Sequence, residues 1–546
     1  MKALMMDMPL LVSSLLRHAA RHHGDAEIVS RRVEGDVHRT TYGECELRSR
    51  RLADALTKRG MGPGDRIATL AWNGYRHLEL YYAIGGGGGV VHTLNPRLPP
   101  EQLAWIVNHA EDLMLAFDLT FLPLIEAIAP HCPKVKAFVA MCGPEHMPKT
   151  DKVPRLLCYE TLLEEGAASY RWPALDENSA CGLCYTSGTT GHPKGALYSH
   201  RSSVLHAYAA ALPDAMAASA KDSILPIVPM FHVNAWGLPY SAPLVGAKLV
   251  FAGPALDGKS VYELMESEKV TFSAGVPTVW LGLLNHVREH KLTFTTFRRT
   301  VVGGAACPPS MLRAFREEFG VEVIHAWGMT EMSPLGTLCK LQNKHAALPK
   351  EEQDKLLEKQ GHSIFGVDMK IVDDEGVALP WDGKTFGHLW VRGAWVMKEY
   401  FRGEGGDPLH YDEDGVGWFP TGDVATINAD GYMQITDRTK DVIKSGGEWI
   451  STIDLENIAM AHPAVAQAAV IGVAHPKWDE RPLLVVAKRP GHEVTKDALL
   501  AFYEGKIPKW WMPNDVQFID AIPLGATGKV LKTKLREQFA SYTLPS

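Results

Sequence analysis

The stretch Tyr185-Thr186-Ser187-Gly188-Thr189-Thr190-Gly191-His192-Pro193-Lys194-Gly195 follows directly on the apolar run Cys181-Gly182-Leu183-Cys184. It reads as a phosphate cradle entered from a strand. Glycines admit backbone dihedrals closed to other residues and bring N–H groups close to a ligand, while the hydroxyls and the single ammonium supply donors for an anion. A flexible surface loop has the same composition; the lysine and the strand-like entry favour the cradle. The spacing is not G-x-x-x-x-G-K-[ST], so an ordinary P-loop ATPase is not implied.

Outward from this stretch, helical and strand-like patterns alternate on both sides. Before it, residues 65–71 and 89–94 read as strands between helices, which predicts parallel strands joined by crossover helices. Thr41 is placed as the N-cap of a helix running to about residue 59, with Glu44 completing a capping box. Leu10, Leu11, Leu15 and Leu16 mark the buried face of an amphipathic helix; no run near the N-terminus reaches a membrane span, and no export signal is read. Gly85 to Gly89 predicts close packing or a sharp turn, with a second phosphate loop as the alternative. After the cradle, a helix from residue 202, interrupted at Pro213, precedes strands at 224–228, 248–252, 270–274, 299–302 and 321–326. Short alternating strands at 368–373, 387–392 and 431–436 with Asp-Gly turns predict a small antiparallel or barrel-like unit. Asp437-Arg438-Thr439-Lys440-Asp441 reads as a linker, and a compact α+β unit follows it.

The chain of 546 residues, 46% apolar and 22% charged, belongs with ordinary globular proteins of several domains. A net charge of -7 without a basic stripe argues against nucleic acid as a partner. Eight scattered cysteines do not form a secreted disulfide scaffold and fit a reducing cytoplasm. Cys181 and Cys184 have C-x-x-C spacing without a second pair, and read as buried thiols rather than zinc ligands.

The order of motifs resembles the adenylate-forming enzymes, which include acyl-CoA synthetases, firefly-type luciferases and peptide-synthetase adenylation domains. The matching pieces are Tyr185 to Gly195, Trp327-Gly-Met-Thr-Glu331, Thr421-Gly-Asp423, Asp437-Arg438-Thr-Lys-Asp441, Lys444-Ser-Gly-Gly-Glu-Trp449 and Gly528-Lys529. Within that family the chain is most similar to bacterial medium-chain fatty acyl-CoA ligases, and similar also to methylthiopropionate-CoA ligases. The resemblance implies an α/β fold: a large N-terminal domain (1–436) of two α/β sheet subdomains plus a small β-barrel-like one, a hinge (437–441), and a mobile α+β C-terminal domain (442–546). It implies ATP, Mg²⁺ and coenzyme A, a medium-chain fatty acid as substrate, and a homodimer.

Residue by residue, it assigns Thr186, Ser187, Gly188, Thr189, Thr190 and Lys194 to the phosphates, Thr330 to the α-phosphate and Glu331 to Mg²⁺. Gly304, Ala305 and Ala306 with Trp327 would sandwich the adenine; His325, Ala326, Gly328 and Met329 complete the nucleotide site. Asp423 and Arg438 would hold the ribose. Lys529 would bridge the substrate carboxylate and α-phosphate in the first half-reaction. Lys440 is the implied hinge about which the C-terminal domain swings, bringing Lys444, Ser445, Gly446, Gly447, Glu448 and Trp449 to the pantetheine arm. His232 would gate the carboxylate, with Val233, Trp236, Val302, Gly303, Cys307, Ser333 and Pro334 as the acyl wall; core packing is the alternative for Val302 and Cys307. No acid stands at residues 233–236 to pair an amino-acid ammonium, which favours an apolar monocarboxylate. Trp236 is bulky enough to limit the pocket's depth.

Overall fold

The computed structural model describes residues 1, 3–186, 192–446, 448–525 and 530–544. Among the described residues the strands form four sheets. One has seven strands, running Leu156–Cys158, Ala137–Ala140, Met114–Phe117, Arg66–Leu70, Val90–Thr93, Ala180–Tyr185 and Gly195–Ser199 across the sheet. All its neighbours are parallel except the last pair, in which the strands on either side of the quoted stretch lie antiparallel. Val90–Thr93, Met114–Phe117 and Ala137–Ala140 are buried at every position, as parallel strands covered on both faces must be.

The second sheet has nine strands, with five parallel strands between Ser223 and Gly328 at its centre. Its edge is built from far away in the chain. Glu27–Arg31 pairs in parallel with Lys248–Phe251, matching Ile28 to Leu249, and Val37–Thr41 closes that edge as a hairpin. The helix Tyr75–Gly86 is buried along its whole length and lies between the two sheets. No side of it faces water, so its polar side chains Arg76, His77 and Glu79 are buried with the apolar ones. The hydroxyls of Tyr81 and Tyr82 reach the carbonyls of Met230 and Pro239, 2.5 Å and 2.7 Å away. Glu79 on the same helix is fully buried against Arg48, at 2.6 Å, and accepts from the Tyr159 hydroxyl.

The glycine run ends this helix rather than cradling a phosphate. A Cβ at Gly86 would lie 2.8 Å from the Trp172 ring, and one at Gly87 2.7 Å from the Ala83 carbonyl, so bare backbone is required. Thr41 does cap Tyr42–Lys58, accepting from the Glu44 amide. The return half of the expected box is replaced: the Glu44 carboxylate accepts from the Thr40 hydroxyl at 2.8 Å. The helix His200–Ala211 ends two residues before Pro213, whose ring disfavours helical backbone at Leu212. Near the N-terminus, Val12–His22 is helical, with Leu15 and Leu16 buried. No helix among the described residues is long and apolar enough to cross a membrane. Cys181 and Cys184 are buried thiols, and burial pushes Cys181 up to about 12.

The third sheet is antiparallel, formed by Val367–Val372, Gly387–Gly393, Gly417–Ile427, His410–Tyr411 and Met433–Arg438. From Ile443 onward the chain builds its own five-stranded sheet around the hairpin Val465–His475 and Asp479–Lys488. Ser451 and Thr452 tie this unit to the strand before it, through the Thr436 carbonyl at 2.6 Å and the Asp437 carboxylate at 2.7 Å.

Candidate active site

A cavity of about 1050 Å³ opens where the four sheets meet, and each contributes to its wall. The seven-stranded sheet supplies Thr186, His192 and Lys194; the nine-stranded sheet supplies Val301, Gly303, Gly304 and the stretch from Ala326 to Glu331; the antiparallel sheet supplies Thr421, Gly422 and Arg438. The C-terminal unit supplies Leu524, Gly525 and Val530 to Thr533. The two ends of the quoted stretch are pinned together, the Thr186 amide donating to the Lys194 carbonyl at 2.8 Å. Ser187, Gly188, Thr189 and Thr190 lie outside the described residues, as do Gly447 and Lys529.

Thr330 and Glu331 sit on a single 3-10 turn that follows the strand Glu322–Gly328. The Tyr198 hydroxyl donates to the Thr330 carbonyl at 2.7 Å, and the Met397 amide to the Glu331 carbonyl at 2.9 Å. This turn is therefore held from both sides. Burial pushes the Glu331 carboxyl above its ordinary range; the Tyr400 hydroxyl, donating to Oε1 at 2.9 Å, and the Arg438 charge act against that. The Lys194 ammonium lies 4.8 Å from the centre of the Tyr400 ring, a cation–π contact. Tyr400 thus joins the ammonium of Lys194 to the buried acid Glu331. No motif surrounds it in the sequence, and only the fold reveals it.

Asp423 and Arg438 stand opposite each other in register on neighbouring strands. Both oxygens of the buried Asp423 carboxylate are engaged, one by Arg438 Nε at 2.9 Å and the other by the Trp327 indole N–H at 2.9 Å. Trp327 lines the cavity while being anchored through its nitrogen, so its ring plane is fixed before any ligand arrives. His325 is directed elsewhere. Its Nδ1 is 3.0 Å from the Glu358 carbonyl, its Nε2 accepts from the Cys307 amide, and burial lowers it to about 4, so it is a neutral packing residue beside the site.

Three of the residues expected to form the acyl wall stand away from the cavity. Val302 and Cys307 are buried in the core on the other side of the strand, and Ser333 donates to the Trp395 carbonyl at 3.1 Å; none lines the cavity. Val301 and Gly303 do, because successive strand residues point to opposite faces. Ala305 and Ala306 are exposed and stand outside the lining. His232, Val233, Trp236 and Pro334 line it.

The backbone that carries Trp236 is unusual. Val233, Asn234, Ala235 and Trp236 all have positive φ, between 39° and 56°, and Gly237 continues the turn at 78°. A left-handed turn costs about 1–2 kcal/mol for each residue with a Cβ. It persists because its surroundings over-determine it. Tyr81 donates to Asn234 Oδ1 at 3.1 Å, while Asn73 donates to the Pro226 and Val228 carbonyls and accepts from the Met230 amide at 2.6 Å. The result sets the Trp236 indole over Gly303 and Gly304, where added Cβ atoms would lie 3.3 Å and 3.6 Å from its ring.

Lys440 lines the cavity, and its carbonyl accepts from Arg536, which also pairs with Asp441 at 2.6 Å. Lys532, three residues after Lys529, is buried against Glu456 at 2.8 Å and Thr452. The segment expected to meet coenzyme A is elsewhere. Ser445 accepts from Arg481 at 3.1 Å, Gly446 is folded against Trp478, and Trp449 leans on His388; Lys444 is likewise outside the lining. In this arrangement the C-terminal unit presents the flanks of Lys529 to the cavity, not Lys444, Ser445, Gly446 or Trp449.

A family model described as AMP-binding enzyme matches residues 16–401, and one described as AMP-binding enzyme C-terminal domain matches residues 454–529. A 3-methylmercaptopropionyl-CoA ligase of Ruegeria lacuscaerulensis is 56% identical over 535 residues, 98% of each chain. A medium-chain-fatty-acid–CoA ligase of Ectopseudomonas oleovorans is 52% identical over 542 residues, 99% of this chain and 98% of its own. Among solved structures, an anthranilate CoA ligase in complex with anthranoyl-AMP matches with a TM-score of 0.84 at 22% identity, covering 98% of this chain and 99% of that one. At that identity the likeness speaks for the fold.

Proposed function

Because the chain belongs to the AMP-binding enzyme family, we propose that its cavity activates an apolar monocarboxylate, in first place a medium-chain fatty acid. The chemistry is that of an AMP-forming acid–CoA ligase. A carboxylate oxygen attacks the α-phosphorus of ATP and pyrophosphate leaves; the thiol of coenzyme A then attacks the acyl carbon, losing its proton, and AMP leaves with the bonding electrons.

In this reading Thr186 to Lys194 hold the phosphate chain and Thr330 the α-phosphate, where two anions must approach. The buried Glu331, on the cavity wall with one oxygen already oriented by Tyr400, would hold Mg²⁺. That ion, when bound, neutralises charge on the triphosphate. Trp327 stacks the adenine, Asp423 and Arg438 hold the ribose, and His232 stands at the carboxylate. Lys529 stabilises the first transition state. The observation that carries the reading is the convergence of Leu524, Gly525 and Val530, which flank Lys529, on the same wall as Thr330, Glu331 and His232. Residues 1–436 and 442–546 then act as two bodies about Lys440, and thioester formation follows a swing that exchanges Lys529 for residues 444–449.

For the acid, Val233, Asn234, Ala235 and Trp236 offer no countercharge for a second ionic group, and Trp236 closes the depth. A second reading, 3-methylthiopropionate, is favoured by the 56% identity to the Ruegeria enzyme. AMP release with ATP, Mg²⁺ and coenzyme A, measured from propionate to palmitate with 3-methylthiopropionate and cinnamate added, decides between them. An optimum at mid-length acids supports the first; a preference for the sulfur acid replaces it; no turnover with any acid removes both. We place the enzyme in the cytoplasm, as eight free cysteines suggest, and expect a homodimer, which sedimentation tests.

A further inference from the structure

Trp105, on the helix Pro100–Ala110, lies parallel to two imidazoles. Its ring is 4.3 Å from that of His192 at 7° and 4.6 Å from that of His109 at 9°. His109 occupies the next helical turn and is fixed at both nitrogens: Nδ1 is 2.6 Å from the Tyr185 hydroxyl and Nε2 3.0 Å from Glu404 Oε1. Tyr185 also meets the Trp105 ring edge-on, at 6.5 Å and 89°. The half-buried indole is thus a rigid platform. His192 rests on it at the rim of the cavity, two residues before Lys194. Pro193 further restricts its backbone. Among the described residues, none hydrogen-bonds either ring nitrogen of His192.

We propose that His192 contacts the departing pyrophosphate, and that Trp105 is the positioning residue that holds it there. The inference rests on the phosphate reading of residues 186–194 and extends it to a residue outside the hydroxyl, glycine and lysine set. An imidazole N–H is a donor of fixed direction, suited to the phosphates farthest from the α-phosphorus. Stacking on the indole leaves that direction unchanged while removing the side chain's rotational freedom, so less entropy is lost when the polyanion binds. The platform's own anchors, Tyr185 and Glu404, flank the cradle and the loop after Tyr400. Trp105 therefore couples His192 to the two segments that position Lys194.

The test compares pyrophosphate and AMP as inhibitors of acyl-AMP formation, with KM for ATP and kcat, in wild type and in His192→Ala, Trp105→Ala, Trp105→Phe and the double variant His192→Ala/Trp105→Ala. Loss of one charge-assisted contact predicts that His192→Ala weakens pyrophosphate and raises KM for ATP about tenfold, with AMP changed less than twofold. Trp105→Ala should follow the same split, Trp105→Phe should recover most of it because an aromatic face remains, and the double variant should be no worse than His192→Ala. Unchanged pyrophosphate affinity in His192→Ala, or equal weakening of AMP and pyrophosphate, overturns the proposal; additive effects in the double variant overturn the role of Trp105. Lys194→Gln separates the premise from the inference. If it weakens pyrophosphate and His192→Ala does not, the inference alone falls; if neither does, the phosphate reading of the whole stretch falls with it.

Discussion

Replacing Trp236 with alanine should lengthen the acid the enzyme prefers, and the gain can be worked from the pocket's geometry. The indole is 8% exposed, lines the cavity and lies across Gly303 and Gly304. A tryptophan side chain covers about 150–250 Å², and a methylene of an acyl chain about 30 Å² at ~0.8 kcal/mol. The vacated space can therefore take about five methylenes. Each one buried there should raise kcat/KM about fourfold until the new floor is reached. The assay is AMP release against straight-chain acids of increasing length, for wild type and variant side by side. Removing so large a side chain also costs about 3–5 kcal/mol of stability, so thermal midpoints are recorded and Trp236→Leu is carried as a milder truncation. If the optimum stays at the wild-type length in a folded variant of either kind, Trp236 is not the pocket floor and the left-handed turn has another purpose.

Tyr400→Phe removes the hydroxyl that helps keep Glu331 ionised. Burial already raises that carboxyl, so losing a hydrogen bond to its charged form raises it further. The acidic limb of kcat/KM for ATP should then begin its fall at higher pH than in wild type, while the alkaline limb stays in place; coincident profiles would falsify the link. Lys529→Ala should abolish acyl-AMP formation yet largely retain thioester formation from supplied acyl-AMP, and equal loss of both half-reactions would remove Lys529 from its assigned role. Glu79→Ala should lower stability by about 3–5 kcal/mol, read by denaturant titration, because it strands the Arg48 guanidinium that Glu79 grips at 2.6 Å. A change below about 1 kcal/mol would mean that Glu160 alone satisfies that arginine.

Local chemistry was legible in the sequence where it acts over a few residues. The strand at 299–302 falls where alternation placed it, and Thr41 caps its helix because a hydroxyl before a helical pattern has few other uses. Strand phase was less accessible. Val301 and Val302 are equally apolar, and only the sheet's two faces decide that the first meets the cavity and the second the core. The turn at 233–236 gave no signal because valine, alanine and tryptophan disfavour positive φ; the conformation comes from Asn73 and Tyr81, more than 150 residues earlier. Tyr400 was invisible for the same reason, since its partners Lys194 and Glu331 are distant in sequence. His325 stands next to a motif, which invited a ligand role, but its neighbours make it a core imidazole.

The pairing of Ile28 with Leu249 has a consequence for how the chain is made. The two residues are separated by 221 positions (249 minus 28). At about 5–20 residues per second on the ribosome, Leu249 is synthesised roughly 11–44 seconds after Ile28. From its emergence until that partner arrives, Glu27–Arg31 has an open edge, and Val29, fully buried in the finished sheet, faces solvent. An apolar strand with an unpaired edge is a template for wrong pairing. The nascent first half of this enzyme should therefore gain from a holding chaperone, and its yield in cells should respond to the rate of translation before residue 249 more than to the rate after it.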